Sequence, residues 1–160
     1  MVIVFSKLHH SIILSTGSFA VLHKCIKQLL SVYVSKTHDT HAIKSVELYI
    51  ISLLHACIST YHGFKYTDSI YIKDSLDEAH HDNCNKFGIF VIGFFIYDTL
   101  ASLVYLKDYN LQNHLHHFSS IIFAYRIISN PDTYSIIPTF MITELSTIFL
   151  NIMLTLLFLI

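Results

Sequence analysis

The sequence predicts an all-α protein, a polytopic bundle of four or five transmembrane helices. Of its 160 residues, 53% are hydrophobic and only 13% are charged, whereas ordinary soluble domains are about 25% charged. The mean hydropathy is +0.54. The apolar residues are gathered into runs, several of them close to the roughly 20 residues that a helix needs to cross a membrane. Length, composition and clustering therefore all favour membrane-spanning helices.

The first apolar segment, 11–34, leaves several interpretations open because Lys24 and Lys27 interrupt it. It fits a tilted span, an amphipathic helix at the membrane surface, or a short span that ends near Leu22. A cleaved signal peptide is disfavoured, since no small-x-small cleavage site follows the apolar core. We expect residues 1–44 to form this N-terminal membrane segment and a polar connection.

The second and third segments cover 45–64 and 86–106. The stretch between them, KYTDSIYIKDSLDEAHHDNCNK, carries charges of both signs, and we expect a solvated loop outside the bilayer. The fourth segment is 115–129, and Asn130-Pro131 then predicts a turn, because the residue before a proline disfavours helix. The fifth begins near Pro138 and runs to Ile160. Residues 45–160 are the predicted main transmembrane domain.

An aspartate lies near the middle of the third segment. On insertion scales Asp98 costs about 3 kcal/mol, which its apolar neighbours offset by on the order of 5 kcal/mol. The segment therefore inserts, but the carboxylate must be hidden from lipid. Charged residues at such positions mark functional sites by default, and Glu144 in the fifth segment is a second example.

Helical spacing places polar residues on one face of three segments. The stripes are Ser52, His55, Ser59 and His62; Asp98, Ser102 and Tyr105; and Glu144, Thr147, Asn151 and Thr155. We expect them to face one another around an enclosed cavity or a hydrogen-bonded core. The alternative, that these side chains only hold the helices together, suits the serines and threonines better than the charged groups.

The chain has 12 histidines, and one adjacent pair, His116-His117, opens an apolar helix. Neighbouring helical positions point about 100° apart, so the pair cannot chelate one metal alone. With His114 it forms an HxHH pattern, without the second histidine box of membrane di-iron enzymes, so no metal is expected. A neutral imidazole can instead act as a base or carry an acyl group, and Asp98 could orient it.

Charge and cysteines exclude other classes. The net charge of −1 provides no basic surface for nucleic acid. Lysines and arginines are spread over most loops, so they predict no membrane orientation. Cys25, Cys57 and Cys84 form no Cys-x-x-Cys pair, which argues against a disulfide framework or a zinc ribbon.

These motifs together resemble the TLC-domain family, which includes ceramide synthases and translocation-associated membrane proteins. The family has an aspartate in one span, His-His at the start of the next and a glutamate-containing stretch in the following one. The matching positions are Asp98, His116, His117, Glu144, Ser146, Thr147, Phe149 and Asn151. SLLHAC, with Ser52, His55 and Ala56, resembles the family's Ser-Thr-x-His-Ala stretch. The resemblance covers about 45–152.

The resemblance implies an endomembrane protein, expected in the endoplasmic reticulum, that acts in lipid homeostasis or lipid handling. Membrane lipids, and possible membrane-protein partners, are the implied ligands. The lipid cavity would be lined by His55, Ser102, Tyr105, Glu144, Thr147 and Asn151. The alternative is an acyltransferase of ceramide-synthase type, with Asp98, His116 and His117 as catalytic residues, acyl-CoA as a substrate and no cofactor. Family members usually continue through about two more spans, so we expect the domain to be C-terminally incomplete.

Overall fold

The described part of the chain is an assembly of long helices. The computed structural model describes residues 2–33, 40–72, 78–130 and 144–159. Its helices are α1 (Val2–Tyr33), α2 (Thr40–Ile72), α3 (Glu78–Ala101), α4 (Leu111–Ser129) and α5 (Glu144–Leu159), and a π-helical turn, Ser102–Leu106, extends α3. Within these residues no strand occurs, which confirms the all-α prediction.

The stretch predicted as a solvated loop between the second and third segments is helical where the structure describes it, so the predicted loop conformation is wrong there. Helix α2 continues to Ile72 and α3 already begins at Glu78, although residues 73–77 lie outside the description. The stretch contains neither glycine nor proline, so nothing in it breaks a helix. Lys86 and Asp82 even form an i,i+4 ion pair at 2.6 Å. Cys84, placed in the loop by its polar neighbours, is fully buried.

Two helices are long and apolar enough to cross a membrane, over Thr40–Lys65 and Asp82–Leu106, and Glu144–Leu157 is a shorter apolar helix. Large apolar side chains on the outer faces of α1, α4 and α5 are exposed, including Ile13, Phe118 and Phe149. Such faces suit contact with lipid. The count of four or five spans stays a prediction, and the expected start of the fifth segment near Pro138 lies outside the described residues.

Helix α3 is the centre of the bundle. It packs against α1 on one side and α4 on the other, while α5 packs against α2. Its buried residues form the core together with Phe19 of α1 and Ile51 of α2. The buried residues that α3 contributes are Cys84, Phe87, Val91, Ile92, Phe94, Phe95, Tyr97 and Ala101. The chain thus forms two helix pairs, α3 with α4 and α2 with α5, that are joined through the core.

Glycine permits the close approach of α1 to α3. A Cβ atom at Gly93 would meet the side chain of Ser15 and, at 3.0 Å, the backbone nitrogen of Thr16. Small residues have this role at many membrane helix crossings, because they let two backbones come together. Gly93 therefore fixes the distance between these two helices.

The connection from α3 to α4 is short and held by backbone caps. The N–H of Asp108 donates to the carbonyl of Ser102 at 3.0 Å, and Lys107 takes a left-handed conformation with φ of 57°. The Asn110 side chain then accepts the backbone N–H groups of Gln112 and Asn113, an N-cap for α4. This tight reversal brings the first turns of α4 back beside the last turns of α3.

Candidate functional site

A polar cavity of about 300 Å³ lies between the α3–α4 pair and the α2–α5 pair. Residues of all four helices form its wall. The predicted site residues among them are Asp98, Ser102, His116, His117, Glu144, Thr147 and Asn151. Apolar side chains such as Phe94, Leu106 and Leu154 complete the lining. Residues that are far apart in the sequence thus surround one volume.

Asp98 and His117 are in direct contact in this wall. Oδ2 of Asp98 lies 3.2 Å from Nε2 of His117, and their side chains are only 14% and 5% exposed. The contact arises because the short α3–α4 connection sets the two helices side by side. The sequence predicted that Asp98 would orient one ring of the histidine pair, and the structure identifies the ring as that of His117.

Thr99 holds the opposite edge of the same ring. Its hydroxyl lies 3.1 Å from Nδ1 of His117 and donates to the carbonyl of Phe95 at 2.7 Å. Both ring nitrogens of His117 are therefore engaged. The carboxyl of Asp98, the imidazole of His117 and the hydroxyl of Thr99 thus form a continuous row of contacts. Thr99, however, does not line the cavity. It serves to position the ring and is not placed to attack a substrate.

The donor and acceptor capacity of each group fixes the protons of this network. A hydroxyl carries one hydrogen, which Thr99 donates to the Phe95 carbonyl. The bond between Thr99 and His117 must then be donated by Nδ1–H. The contact of Nε2 with Asp98 holds one further proton, either on the ring or on the carboxyl. The pair as a whole is neutral, which is the least costly arrangement in apolar surroundings.

His116 differs from the adjacent His117 both in its exposure and in its hydrogen bonding. It is exposed, and among the described residues its ring has no hydrogen-bond partner. The ring meets the edge of Phe95 with centroids 5.8 Å apart and interacts electrostatically with Glu144. The two adjacent histidines thus differ: the ring of His117 is fixed, whereas His116 lines the cavity and has no hydrogen-bond partner for its ring among the described residues.

Helix α5 closes the far side of the cavity through polar contacts. Glu144 is 6% exposed, and Thr147 hydrogen-bonds to its carboxyl. One turn further, Nδ2 of Asn151 donates to the hydroxyl of Ser52 on α2 at 2.9 Å. The polar stripes of α2 and α5 therefore meet, as the sequence predicted.

Two residues predicted to line the cavity lie elsewhere. His55 is 1% exposed and stacks on Phe94 with centroids 3.7 Å apart and planes 8° apart. Its Nε2 contacts the Ser59 hydroxyl at 3.2 Å, so the ring belongs to the aromatic core. Tyr105 departs because the π-helical turn changes the helical phase after Ser102. Ser102 remains in the cavity, but Tyr105 turns towards α1 and α2.

Tyr105 joins a second buried polar cluster that the sequence did not predict. Its hydroxyl donates to Oε2 of Glu47 at 2.6 Å. Nε2 of His23, on α1, contacts the same oxygen at 3.1 Å. Glu47 is only 2% exposed, so it is a carboxylate enclosed by three helical elements. A glutamate within the predicted 45–64 span was the signal that could have revealed it.

Two lysines complete this cluster. Nζ of Lys27, on α1, lies 5.3 Å from the centroid of the Tyr105 ring, and Nζ of Lys44, on α2, lies 4.9 Å from it. Both distances fall in the range of a cation–π contact. The basic residues that interrupt the first apolar segment are thus partly explained, since Lys27 meets an aromatic ring.

No group of three or more metal-binding side chains occurs among the described residues. The comparisons with known proteins gave one match. A family model described as the TLC domain matches residues 39–159, a range that holds the whole cavity but excludes α1. No curated protein and no solved structure matches the chain.

Proposed function

Since the chain belongs to the TLC-domain family, we propose that it is a multi-pass endomembrane protein that binds and handles a membrane lipid in lipid homeostasis. The observation that carries this proposal is the polar cavity between the α3–α4 pair and the α2–α5 pair. Polar and charged side chains inside a bundle that faces lipid are energetically unfavourable, and residues retained at such positions usually have a function.

The lining of the cavity suits an amphipathic ligand. Asp98, His116 and Glu144 offer hydrogen bonds to a polar headgroup, while Phe94, Leu150 and Leu154 offer contact to an acyl chain. Ligand sites commonly combine an apolar wall with a few placed polar groups, and the volume lies at the lower end of their range. We therefore expect the headgroup and the first part of one chain to enter the cavity.

A second candidate function, acyl transfer, is favoured by the exposed ring of His116 beside the fixed Asp98–His117 pair. In this reaction His116 removes the proton from an amine or hydroxyl of an acceptor lipid. The acceptor atom bonds to the thioester carbon of acyl-CoA, the carbon–sulfur bond breaks, and the departing thiolate takes the proton from His116. Acyl-CoA is a substrate here, and no cofactor takes part.

A variant that fills the cavity tests the lipid-binding proposal. Ser52→Phe places a large ring in the wall beside Asn151, whereas Ser18→Phe adds the same ring to the exposed face of α1. After cross-linking to a photoactivatable lipid with a short reactive chain, Ser52→Phe should lose most of the label and Ser18→Phe should keep it. Equal labelling of two folded variants would contradict binding in the cavity.

The His116→Ala variant distinguishes lipid binding from acyl transfer, and His10→Ala on α1 is its control. If the protein transfers acyl groups, His116→Ala abolishes acyl-CoA-dependent product but leaves lipid labelling. If it only binds lipid, the wild-type protein forms no such product. Residence in the endoplasmic reticulum, which rests on the family resemblance, is checked by co-localisation with a resident membrane marker.

A further inference from the structure

We propose that Lys27, Lys44 and Tyr105 form a second lipid site, which binds the phosphate of an anionic phospholipid at one edge of the membrane. The site is separate from the cavity, because none of these three residues lines it. Its ligand class is a phosphate group with net negative charge, carried by a membrane lipid.

The position of the three residues matches the depth of lipid headgroups. Lys44 lies near the start of the candidate span Thr40–Lys65, and Tyr105 lies at the end of the span Asp82–Leu106. The bond between Tyr105 and Glu47 shows that these two helix ends meet. Tyrosines and lysines are enriched at this depth, where the apolar core gives way to phosphate.

The two ammonium groups have no acceptor within the described part of the chain. Both approach one ring, from α1 and from α2. Among the residues that the structure describes, neither forms a hydrogen bond or an ion pair. A cation–π contact leaves ammonium hydrogens available, and a phosphate beside this ring would accept them.

The nearby carboxylate does not replace the phosphate. Glu47 is buried, and its Oε2 already contacts Tyr105 and His23. Lys27 and Lys44 carry two positive charges against the one negative charge of Glu47, so these three residues have a net positive charge. Basic pockets between membrane helices bind anionic headgroups for this reason. The apolar outer face of α1, which includes Leu29 and Val32, is available to the acyl chains.

A photoactivatable phosphatidic acid in phosphatidylcholine vesicles tests the site on the full chain. We expect label on peptides that contain Lys27 or Lys44, competed by phosphatidic acid but not by phosphatidylcholine. The Lys27→Ala/Lys44→Ala variant should weaken this labelling on the order of tenfold, since two lysines are removed at the membrane surface. Inorganic phosphate should not compete, and competition by it would overturn the assignment to a lipid.

Two controls keep the result interpretable. Lys7→Ala/Lys24→Ala removes the same charge from exposed positions of α1 without touching Tyr105, and it should keep the label. Lys27→Arg/Lys44→Arg keeps the charge and should also keep it, which separates loss of binding from loss of folding. The proposal is wrong if both alanine pairs lose label equally, or if phosphatidylcholine competes as well as phosphatidic acid. The Ser52→Phe variant, which blocks the cavity, should leave this labelling unchanged.

Discussion

Nε2 of His117 lies 3.2 Å from Oδ2 of Asp98, so a hydrogen bond within the wall of the cavity joins α4 to α3. Since Thr99 holds the other ring nitrogen, the imidazole is fixed at both edges. This arrangement makes His117 part of the wall and leaves His116 as the histidine that a ligand meets.

The Asp98–His117 contact should show strong energetic coupling. Asp98→Val and His117→Leu each leave one polar partner alone in the bundle, and each should lower the free energy of unfolding by about 2 kcal/mol or more. The double variant removes both partners and should lose clearly less than the sum of the two losses. Denaturant titration in mixed micelles measures all four proteins. Additive losses would show that the contact contributes nothing.

The hydroxyl group of Thr99 should contribute more to the free energy of unfolding than the shape of its side chain does. Thr99→Val removes the partner of His117 Nδ1 and should cost about 1–2 kcal/mol of unfolding free energy, together with weaker lipid labelling of the cavity. Thr99→Ser should keep both near wild type. Thr60→Val is the matched control, because the buried Thr60 hydroxyl has no partner among the described residues, and this change should be neutral or stabilising. A Thr99→Val protein as stable as Thr60→Val would contradict the role assigned to the hydroxyl.

The close approach of α1 and α3 should leave no room for an additional methyl group at Gly93. Gly93→Ala forces the new Cβ against Ser15 and the backbone of Thr16, and we expect a loss of about 1–3 kcal/mol in unfolding free energy. Gly17→Ala has no atom within 4 Å of the new Cβ and should instead stabilise by up to about 1 kcal/mol. Thermal unfolding in detergent compares them. Equal midpoints would argue against tight packing at Gly93.

The bond between Asn151 and Ser52 should hold α5 to α2. Asn151→Leu removes it, and hydrogen bonds between membrane helices contribute about 0.6 kcal/mol on average, up to about 1.7. Thr155→Val on the same helix removes a buried hydroxyl that has no partner in the part of the chain that the structure describes, and it should be neutral. Denaturant titration reports the difference in unfolding free energy. The role of the bond is refuted if the two variants lose the same amount.

The sequence predicted the helices and much of the cavity wall, because both depend on short spacings along one helix. Asp98 and Ser102 share a face at i,i+4, and Glu144 and Thr147 share one at i,i+3. Regular helical phase suffices for these relations. The contact of Asp98 with one histidine of the pair also follows from two adjacent helices joined by a short connection.

What the sequence did not predict depends on departures from that phase or on partners from other helices. Tyr105 leaves the stripe of Asp98 because the π-helical turn intervenes. Glu47 lies outside the polar stripe predicted on α2, and the partners of its carboxylate come from α1 and from that turn. His55 is polar by residue type, but a flat ring can stack in an aromatic core when one nitrogen has a hydroxyl beside it.

The π-helical turn at Ser102–Leu106 separates the two polar sites of this protein. It leaves Ser102 in the cavity and directs Tyr105 to the cluster around Glu47. In a regular α-helix Ser102 and Tyr105 would project within about 60° of each other, and both would serve the cavity. The wider turn sends Tyr105 to Glu47, and through it to His23 on α1. Deletion of a single residue here would restore the regular phase and take Tyr105 away from Glu47. Asp98 precedes the turn and would keep its place on α3, and His23 would keep its own contact with Glu47. The length of this turn therefore decides whether Tyr105 serves the cavity or the cluster around Glu47.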